Sequence, residues 1–298
     1  MAMEQRRYRL PPFGSSAPLV PFASFPAALT VEGQIRRPEE LPHVSLIALG
    51  GLWRPLGGRQ VLRSRYVNPI TTQDLSDIKA EVIGPFPGGL VRANMQLRLN
   101  WTFGVPGFGT GVRRVRASLG SIGHATLSGT AIQSVAFQTS NIYGSGWMDT
   151  YVNAISDTNA AHGLPGPAVA GGVTPLTNGH LSAPSSQLLS SADFSAAWEI
   201  GLWCTSAAET ATNITSVSWS GGVATFVNPT HTLNTGDKTT VAGVSNAGYN
   251  GVYTGITRID ANTWSGTLVA DPGGAGTGGT SSRISPVTSQ SYSLELWG

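Results

Sequence analysis

The chain has 298 residues and a net charge of +2, and only 11% of its residues are charged. An average soluble protein has about 25% charged residues, and a disordered chain combines high charge with low hydrophobicity. With 40% hydrophobic residues, 8 Trp, 38 Gly and 19 Pro, the composition excludes disorder and predicts short strands joined by frequent turns.

The first predicted element is an extended arm over residues 1–35. Residues 8–30 hold five prolines and three phenylalanines among small residues. Because proline fixes φ and lacks an amide donor, neither a helix nor a central strand is expected there. Apolar rings in an extended segment need a surface to lie on, so the arm is a candidate anchor. Its predicted anchoring residues are Arg6, Arg7, Arg9, Phe13, Phe22 and Phe25.

Positive charge is concentrated in the first part of the chain. Residues 1–120 hold 15 basic and 7 acidic residues, a net of +8, and the remainder holds 3 basic and 9 acidic residues, a net of −6. The arginines are spread out and do not form dense basic runs, which favours docking onto an acidic protein surface over binding nucleic acid. The low overall charge indicates either a surface covered by copies or partners, or a soluble Ser/Thr-rich surface.

The clearest strand is Met95–Phe103, where large apolar residues occupy every odd position and polar residues every even one. This period of two is typical of an antiparallel sheet with one buried face. Residues 112–119 alternate in the same way and are predicted to pair with it in a hairpin with a long turn. Shorter strands fit 44–49, 59–66, 124–128 and 132–139, and the best helix candidate is 73–81.

Residues 213–284 are predicted to form a separate small β module, Ig-like or barrel-like. Ser220-Gly-Gly222 lies between two alternating stretches, which is a hairpin signal. The predicted strands of the module are 214–219, 223–227, 238–242, 252–259 and 263–269.

Bulkier alternating strands lie on either side of this module, at 194–203 and 291–298. A domain inserted between two strands of a parent sheet produces this order, since insertions are tolerated at exposed loop tips. Residues 36–212 and 285–298 are therefore predicted to form one discontinuous sandwich. The final strand is expected to pair near 194–203.

Four stretches resemble the jelly-roll domain of bacteriophage structural proteins. Met95–Phe103 ends in an aromatic residue, and Val112–Gly120 is an Arg-rich strand that ends in Leu-Gly, as in that family. The family also closes on a Thr/Ala/Glu-rich turn and a Tyr-x-x-Glu-Leu type of strand. Ser206–Thr210 and Tyr292–Leu296 are similar to these, with the module between them.

The module itself is similar to a small β module of phage tail and virion proteins. The matching residues are Thr235–Asp237, Val241–Gly243, Tyr249–Gly251 and Thr263–Trp264. Together the resemblances imply an all-β, jelly-roll-like antiparallel β-sandwich with an inserted small β domain and an extended N-terminal arm. Residues 1–90 lie outside both resemblances.

The resemblance implies a non-enzymatic virion structural protein: a capsid decoration, head-spike or fibre component, made in the host cytoplasm and located in the virion. The expected partners are two further copies in a homotrimer and the major capsid or other virion proteins. The alternative is a tail-associated protein that recognises host surface carbohydrate through Tyr249, Tyr253 and Trp264. Those rings are also explained as the core of a small domain, and that interpretation is favoured.

Residue types that carry catalysis or bind metals are sparse. The five histidines are far apart in sequence, and one cysteine, Cys204, cannot form an intrachain disulfide or a zinc knuckle. Asp149 and Asp157 could form a glycosidase pair, although Asp is also an ordinary turn residue. No catalytic residue, cofactor, metal, membrane span or secretory signal is predicted.

Overall fold

A computed structural model describes residues 19–21, 33–39, 41–49, 52–66, 68–105, 113–125, 131–139, 144–155, 160–162, 170–171, 173–175, 188–189 and 193–298. The strands of these residues, in chain order, are β1 (Leu19–Val20), β2 (Ile35–Pro38), β3 (Leu46–Leu49), β4 (Leu52–Pro55), β5 (Arg59–Arg65), β6 (Ile70–Thr72), β7 (Ile78–Phe86), β8 (Gln96–Val105), β9 (Arg113–Ser121), β10 (Ala131–Thr139), β11 (Gly144–Ala154), β12 (Ala160–His162), β13 (Ala170–Gly171), β14 (Val173–Pro175), β15 (Leu188–Leu189), β16 (Trp198–Thr205), β17 (Ala207–Ala208), β18 (Thr212–Asn213), β19 (Ser216–Ser220), β20 (Val223–Val227), β21 (Lys238–Ala242), β22 (Gly251–Tyr253), β23 (Thr257–Arg258), β24 (Thr263–Thr267), β25 (Gly276–Thr277), β26 (Thr280–Ser285) and β27 (Val287–Trp297). A short 3-10 turn covers Ala247–Tyr249.

Eight of these strands form the central parts of the two sheets of a sandwich. The first sheet has the central order β5-β27-β8-β11 and the second has the central order β7-β16-β9-β10. Every neighbouring pair is antiparallel. These eight strands follow the order of a jelly roll. From β5 to β27, each step along the chain passes to the other sheet, except the step from β9 to β10, which are neighbours in one sheet. The predicted all-β, jelly-roll-like antiparallel sandwich is confirmed.

The space between the two sheets is filled by the apolar faces predicted from alternation. The odd-numbered side chains of Met95–Phe103 are all buried in one core cluster. Leu294 and Leu296 on β27 join them from one side, and Ile200 and Leu202 reach them from the second sheet. Full burial of each such side chain contributes about 1.5–3 kcal/mol. The indole N–H of Trp101 is satisfied by the Ser289 hydroxyl at 2.9 Å.

The predicted hairpin between 95–103 and 112–119 is wrong. Strand β8 pairs with β11 and β27, whereas β9 pairs with β10 and β16 in the other sheet. Successive strands of a jelly roll often cross between sheets, and the alternation of each strand reports only which face is buried. Strands β8 and β9 therefore lie in different sheets.

Two further expectations for the sandwich are corrected. The closing strand lies between β8 and β5 in the first sheet and does not pair with 194–203, which contributes β16 to the second sheet. The helix candidate at 73–81 is wrong, because Asp74 caps a turn by accepting from the Ser76 amide and Ile78–Phe86 is strand β7.

The module contains two sheets around a second core. One sheet has the order β17-β26-β21-β22, with β18 also on β26, and the other has the order β23-β24-β20-β19-β25. The five predicted strand regions all contain strands. Strands β25 and β26 were not predicted, since Gly276–Ser285 is rich in small polar residues. The domain boundaries at 35, 212 and 285 remain predictions.

The segments that enter and leave the module pair with each other, and we call this pair the neck. Ala207 and Ala208 on β17 pair with Ser285 and Ile284 on β26. Thr212 and Asn213 on β18 continue the ladder along the same strand. Strand β27 begins two residues after β26 ends, so the neck leads directly into the sandwich.

Candidate functional site

The three aromatic residues predicted to recognise carbohydrate in the module are buried. Tyr249, Tyr253 and Trp264 are 0%, 4% and 0% exposed, respectively. Trp264 stacks on Phe226 with 4.1 Å between ring centroids, and both tyrosine rings meet Phe226 edge-on. A small domain uses its large rings to build a core. The prediction that these three residues recognise carbohydrate at the surface is therefore wrong.

Of the remaining predicted site residues, only Asp149 lies within the part of the chain that the structure describes. The six anchoring residues of the N-terminal arm, Arg6, Arg7, Arg9, Phe13, Phe22 and Phe25, lie outside the described residues. Asp157 also lies outside them, so the Asp149–Asp157 pair stays a prediction. Asp149 accepts two hydrogen bonds from Arg98, at 2.9 and 2.7 Å, and this pairing occupies both of its carboxylate oxygens.

Asp149 belongs to a polar and aromatic network on the outer surface of the first sheet, which we call the outer face. Because β8 alternates, Gln96, Arg98, Asn100 and Thr102 point away from the core. Their cross-strand neighbours complete the face. On β27 these are Ser291, Ser293, Glu295 and Trp297, and on β11 they include Asp149, Tyr151 and Asn153.

Two ion pairs organise the outer face. Arg98 binds Asp149 and lies 5.4 Å from the centre of the Tyr151 ring. Arg59 on β5 binds Glu295 and lies 5.4 Å from the Trp297 ring. The Trp297 indole donates to Glu295 at 3.1 Å, and the Tyr151 hydroxyl donates to Asp149 at 3.3 Å. Each ring is thus held by one guanidinium and one carboxylate.

The contacts of the outer face shift the pKa values of Arg98 and Tyr151 upward. The hydrogen bonds to Asp149 raise the pKa of Arg98, against an opposing effect of burial. Burial and then the Asp149 carboxylate raise the pKa of Tyr151. The phenol therefore stays neutral and keeps its proton to donate near neutral pH.

A second cluster lies on the second sheet, on the side that faces away from the sandwich core. It has the residue types of a hydrolase triad. Ser118 Oγ is 2.7 Å from His124 Nε2, and His124 Nδ1 is 3.2 Å from Glu199 Oε1. The Trp203 indole donates to the same Ser118 oxygen at 2.7 Å. Lys79 Nζ donates to Glu199 at 3.1 Å and also to the His124 carbonyl oxygen. We call these five residues the Ser118 cluster.

The Ser118 cluster is closed to a substrate. Ser118 is 0% exposed, and the side chains of His124 and Glu199 are 7% and 5% exposed. Gly201 lies beneath them, and a Cβ there would stand 2.7 Å from the Trp203 indole nitrogen. A triad needs an accessible nucleophile with oxyanion donors beside it. The cluster instead joins the turn after β9 to β7 and β16.

This interpretation predicts how Ser118 behaves toward a hydrolase probe. A fluorophosphonate should leave Ser118 unlabelled on peptide mass spectrometry, since its oxygen is buried and bound on two sides. Ser118→Ala should lower the free energy of unfolding by about 1–3 kcal/mol, because the buried Trp203 N–H loses its acceptor. Stoichiometric labelling of Ser118, absent from the S118A variant, would contradict the non-enzymatic interpretation.

A third cluster of charges fixes the neck. Arg283 on β26 pairs with Glu209 at 3.5 Å and with Asp237 at 2.7 Å. Burial raises the pKa of Glu209, and burial lowers the pKa of Arg113, on β9 of the sandwich, to about 10. Lys238 on β21 reaches across to Asp74 at 3.1 Å. These contacts join the base of the module to the sandwich.

Among the described residues, no group of three or more His, Cys, Asp or Glu side chains is placed to hold a metal ion. Cys204 faces the core, and burial raises the pKa of its thiol to about 12. No helix in the described part of the chain is long and apolar enough to cross a membrane.

The candidate clusters draw on segments that are distant in sequence. The Ser118 cluster combines β7, β9, the turn after it and β16, and the outer face combines β5, β8, β11 and β27. The alternation of polar residues in Gln96–Thr102 indicates one strand of the outer face from sequence alone. The rest of the face can be assigned only when the partners of β8 are known. Nothing in the spacing of Ser118, His124 and Glu199 indicated that they meet.

Comparison with known proteins leaves the family open. No family model matches the sequence, and no curated protein matches it. Among solved structures, one likeness is to the CBM2 module of the evolved Dit of Lactobacillus casei BL23 phage J-1. It is 12% identical over 84% of this chain and 78% of that chain, with a TM-score of 0.19. A likeness at this TM-score carries no argument about the fold or function of this chain.

Proposed function

We propose that this chain is a non-enzymatic structural protein of a bacteriophage virion, of the capsid-decoration, head-spike or fibre type. The observation that carries the proposal is the position of the module. It is inserted in the single connection between β16 and β27 and held at both ends by central strands of the two sheets. Such a design presents the module while the sandwich packs with neighbours.

Three further observations support this function. The strand order is that of a jelly roll, an architecture used by viral capsid domains. The sequences of β8, β9 and the closing strand resemble those of phage jelly-roll proteins. A chain with only 11% charged residues suits a surface that is covered by copies of itself, here a homotrimer, and by virion proteins.

The N-terminal arm supplies the anchor in this proposal. Its three Phe residues bury apolar surface on the particle, and Arg6, Arg7 and Arg9 pair with acidic groups there. Deletion of residues 1–30 should therefore abolish loading onto particles, measured by immunoblotting purified virions. The control is Val269→Ala in the module, which should load as the parent does. Normal loading of the truncated chain would contradict anchoring by the arm.

A second candidate function is recognition of host surface carbohydrate by a tail-associated protein. The outer face favours it, because partly exposed Trp and Tyr rings lie there among amide, carboxylate and guanidinium groups. The purified full-length chain should bind host cells, and periodate oxidation of the cell-surface sugars should remove that binding. Equal binding to oxidised and untreated cells would exclude this function.

A further inference from the structure

We propose that the outer face of the first sheet binds a neutral oligosaccharide, with Trp297 and Tyr151 as the stacking residues. This inference deepens the second candidate function and rests on it, and it is independent of the virion structural role. It moves the carbohydrate site from the module to the sandwich.

The first argument is the composition of the outer face. On β5, the outward Val61 opposite Glu295 is the one aliphatic side chain of the face and is 39% exposed. On β8, β11 and β27, every outward position among the described side chains is polar or aromatic: Gln96, Arg98, Asn100, Thr102, Asp149, Tyr151, Asn153, Ser291, Ser293, Glu295 and Trp297. The centre of a protein–protein interface is depleted in charged residues. Amides, hydroxyls and carboxylates side by side supply both donors and acceptors, as sugar hydroxyls require.

The second argument is the arrangement of the two rings. Trp297 is level with Gln96 and Asn153 across the sheet, and Tyr151 is level with Arg98 and Glu295. Strand β8 separates them, so their backbones lie about 10 Å apart across the strands and, because their levels differ by two residues, about 7 Å apart along them. An aromatic ring offers an apolar surface to the C–H face of a pyranose, while its polar atom stays hydrogen-bonded. The two rings thus suit a short oligosaccharide lying across the strands.

The third argument is charge. Arg59 and Arg98 are balanced by Glu295 and Asp149, and each pair is in direct contact. The network therefore carries no net charge, and complementarity favours a neutral ligand over a polyanion or a polycation.

The fourth argument is pre-organisation. Each ring already has a guanidinium at 5.4 Å from its centre, and its polar atom is bonded to a buried carboxylate. Glu295 and Asp149 are both 6% exposed. Side chains fixed before binding lose little conformational freedom on binding, which strengthens the affinity of a small contact area.

The test uses the full-length chain on a printed array of neutral oligosaccharides of glucose, galactose, mannose, rhamnose and N-acetylglucosamine, with heparin and polysialic acid as polyanionic probes. We expect binding to a neutral oligosaccharide and not to the polyanions. Trp297→Ala and Tyr151→Ala should each weaken that binding by about tenfold. The control is Tyr66→Ala, an exposed aromatic outside the outer face, which should bind as the parent does.

A measurement on the unmodified chain gives a result that does not depend on whether the variants fold. The oligosaccharide that binds should slow hydrogen–deuterium exchange in β8, β11 and β27 of the unmodified chain. Protection confined to the module, or unchanged affinity in both variants, overturns the site while the second candidate function stands. Silence of the parent across all neutral oligosaccharides, or binding to the polyanions alone, overturns the inference. Particle loading by the arm is measured separately and does not depend on either result.

Discussion

Trp264→Ala is expected to unfold the module and leave the sandwich folded. Trp264 is fully buried and contacts Phe226 and Tyr253 within the second core cluster, whose residues all lie between Ile214 and Leu268. Replacing a buried Trp by Ala costs about 3–5 kcal/mol, from lost burial and the cavity that remains. An entire domain is stable by only about 5–15 kcal/mol, and a module of this size lies near the lower limit.

Differential scanning calorimetry should separate the two units. The parent is expected to show two transitions, and the W264A variant should lose the one that belongs to the module. Val269→Ala, at a position 85% exposed, is the matched control and should shift neither. A parallel fall of both transitions in W264A would mean that module and sandwich unfold as one cooperative unit, against the predicted inserted domain.

Truncation after Pro286 is expected to unfold the sandwich and to leave the module folded, the opposite of Trp264→Ala. It removes β27, which lies between β5 and β8 and contributes Leu294 and Leu296 to the sandwich core. Both neighbours lose their ladder partner, and unpaired buried backbone groups each cost about 1–3 kcal/mol. We expect the sandwich to be lost while the module, which ends with β26, stays folded.

Circular dichroism in the near ultraviolet can follow this truncation, since Trp101 and Trp198 lie in the sandwich core and Trp264 in the module core. Only the module's thermal transition should remain. Truncation of Gly298 alone is the control and should preserve both transitions. A sandwich transition that persists without β27 would show that the closing strand is dispensable.

The sequence predicted individual strands well because burial of one face imposes alternation. Met95–Phe103 and Tyr292–Leu296 were located by that pattern, and the same physics places their apolar side chains in one core. Their partners could not be predicted in this way. Alternation specifies which side chains are inward but carries no information on which strand lies alongside. The sequence therefore predicts wrong partners for both β8 and β27.

The prediction of a helix at 73–81 is wrong for a related reason, namely that strand β7 lacks the alternation of a strand with one buried face. Strand β7 lies at the edge of its sheet, and most of its side chains are half-buried. Without a fully buried face its sequence does not alternate, and local pattern could not identify it. Edge strands commonly carry such a weak signal.

The candidate sites were the least predictable part of the molecule. Arg98 and Asp149 are 51 residues apart, and Arg59 and Glu295 are 236 residues apart, so their contacts depend on the jelly-roll order. For Tyr249, Tyr253 and Trp264, the sequence allows two roles, packing in the core of the module or recognition at its surface. The small size of the module favours the core, and the structure places them there.

The neck has a mechanical consequence. A pull on the module reaches the sandwich through the ends of β16 and β27. Each of these strands has a hydrogen-bonded neighbour on both sides, β7 and β9 for the first and β5 and β8 for the second. A force directed along a strand loads its perpendicular hydrogen bonds together in shear. A pull along β16 and β27 is therefore shared by the hydrogen bonds of both sheets.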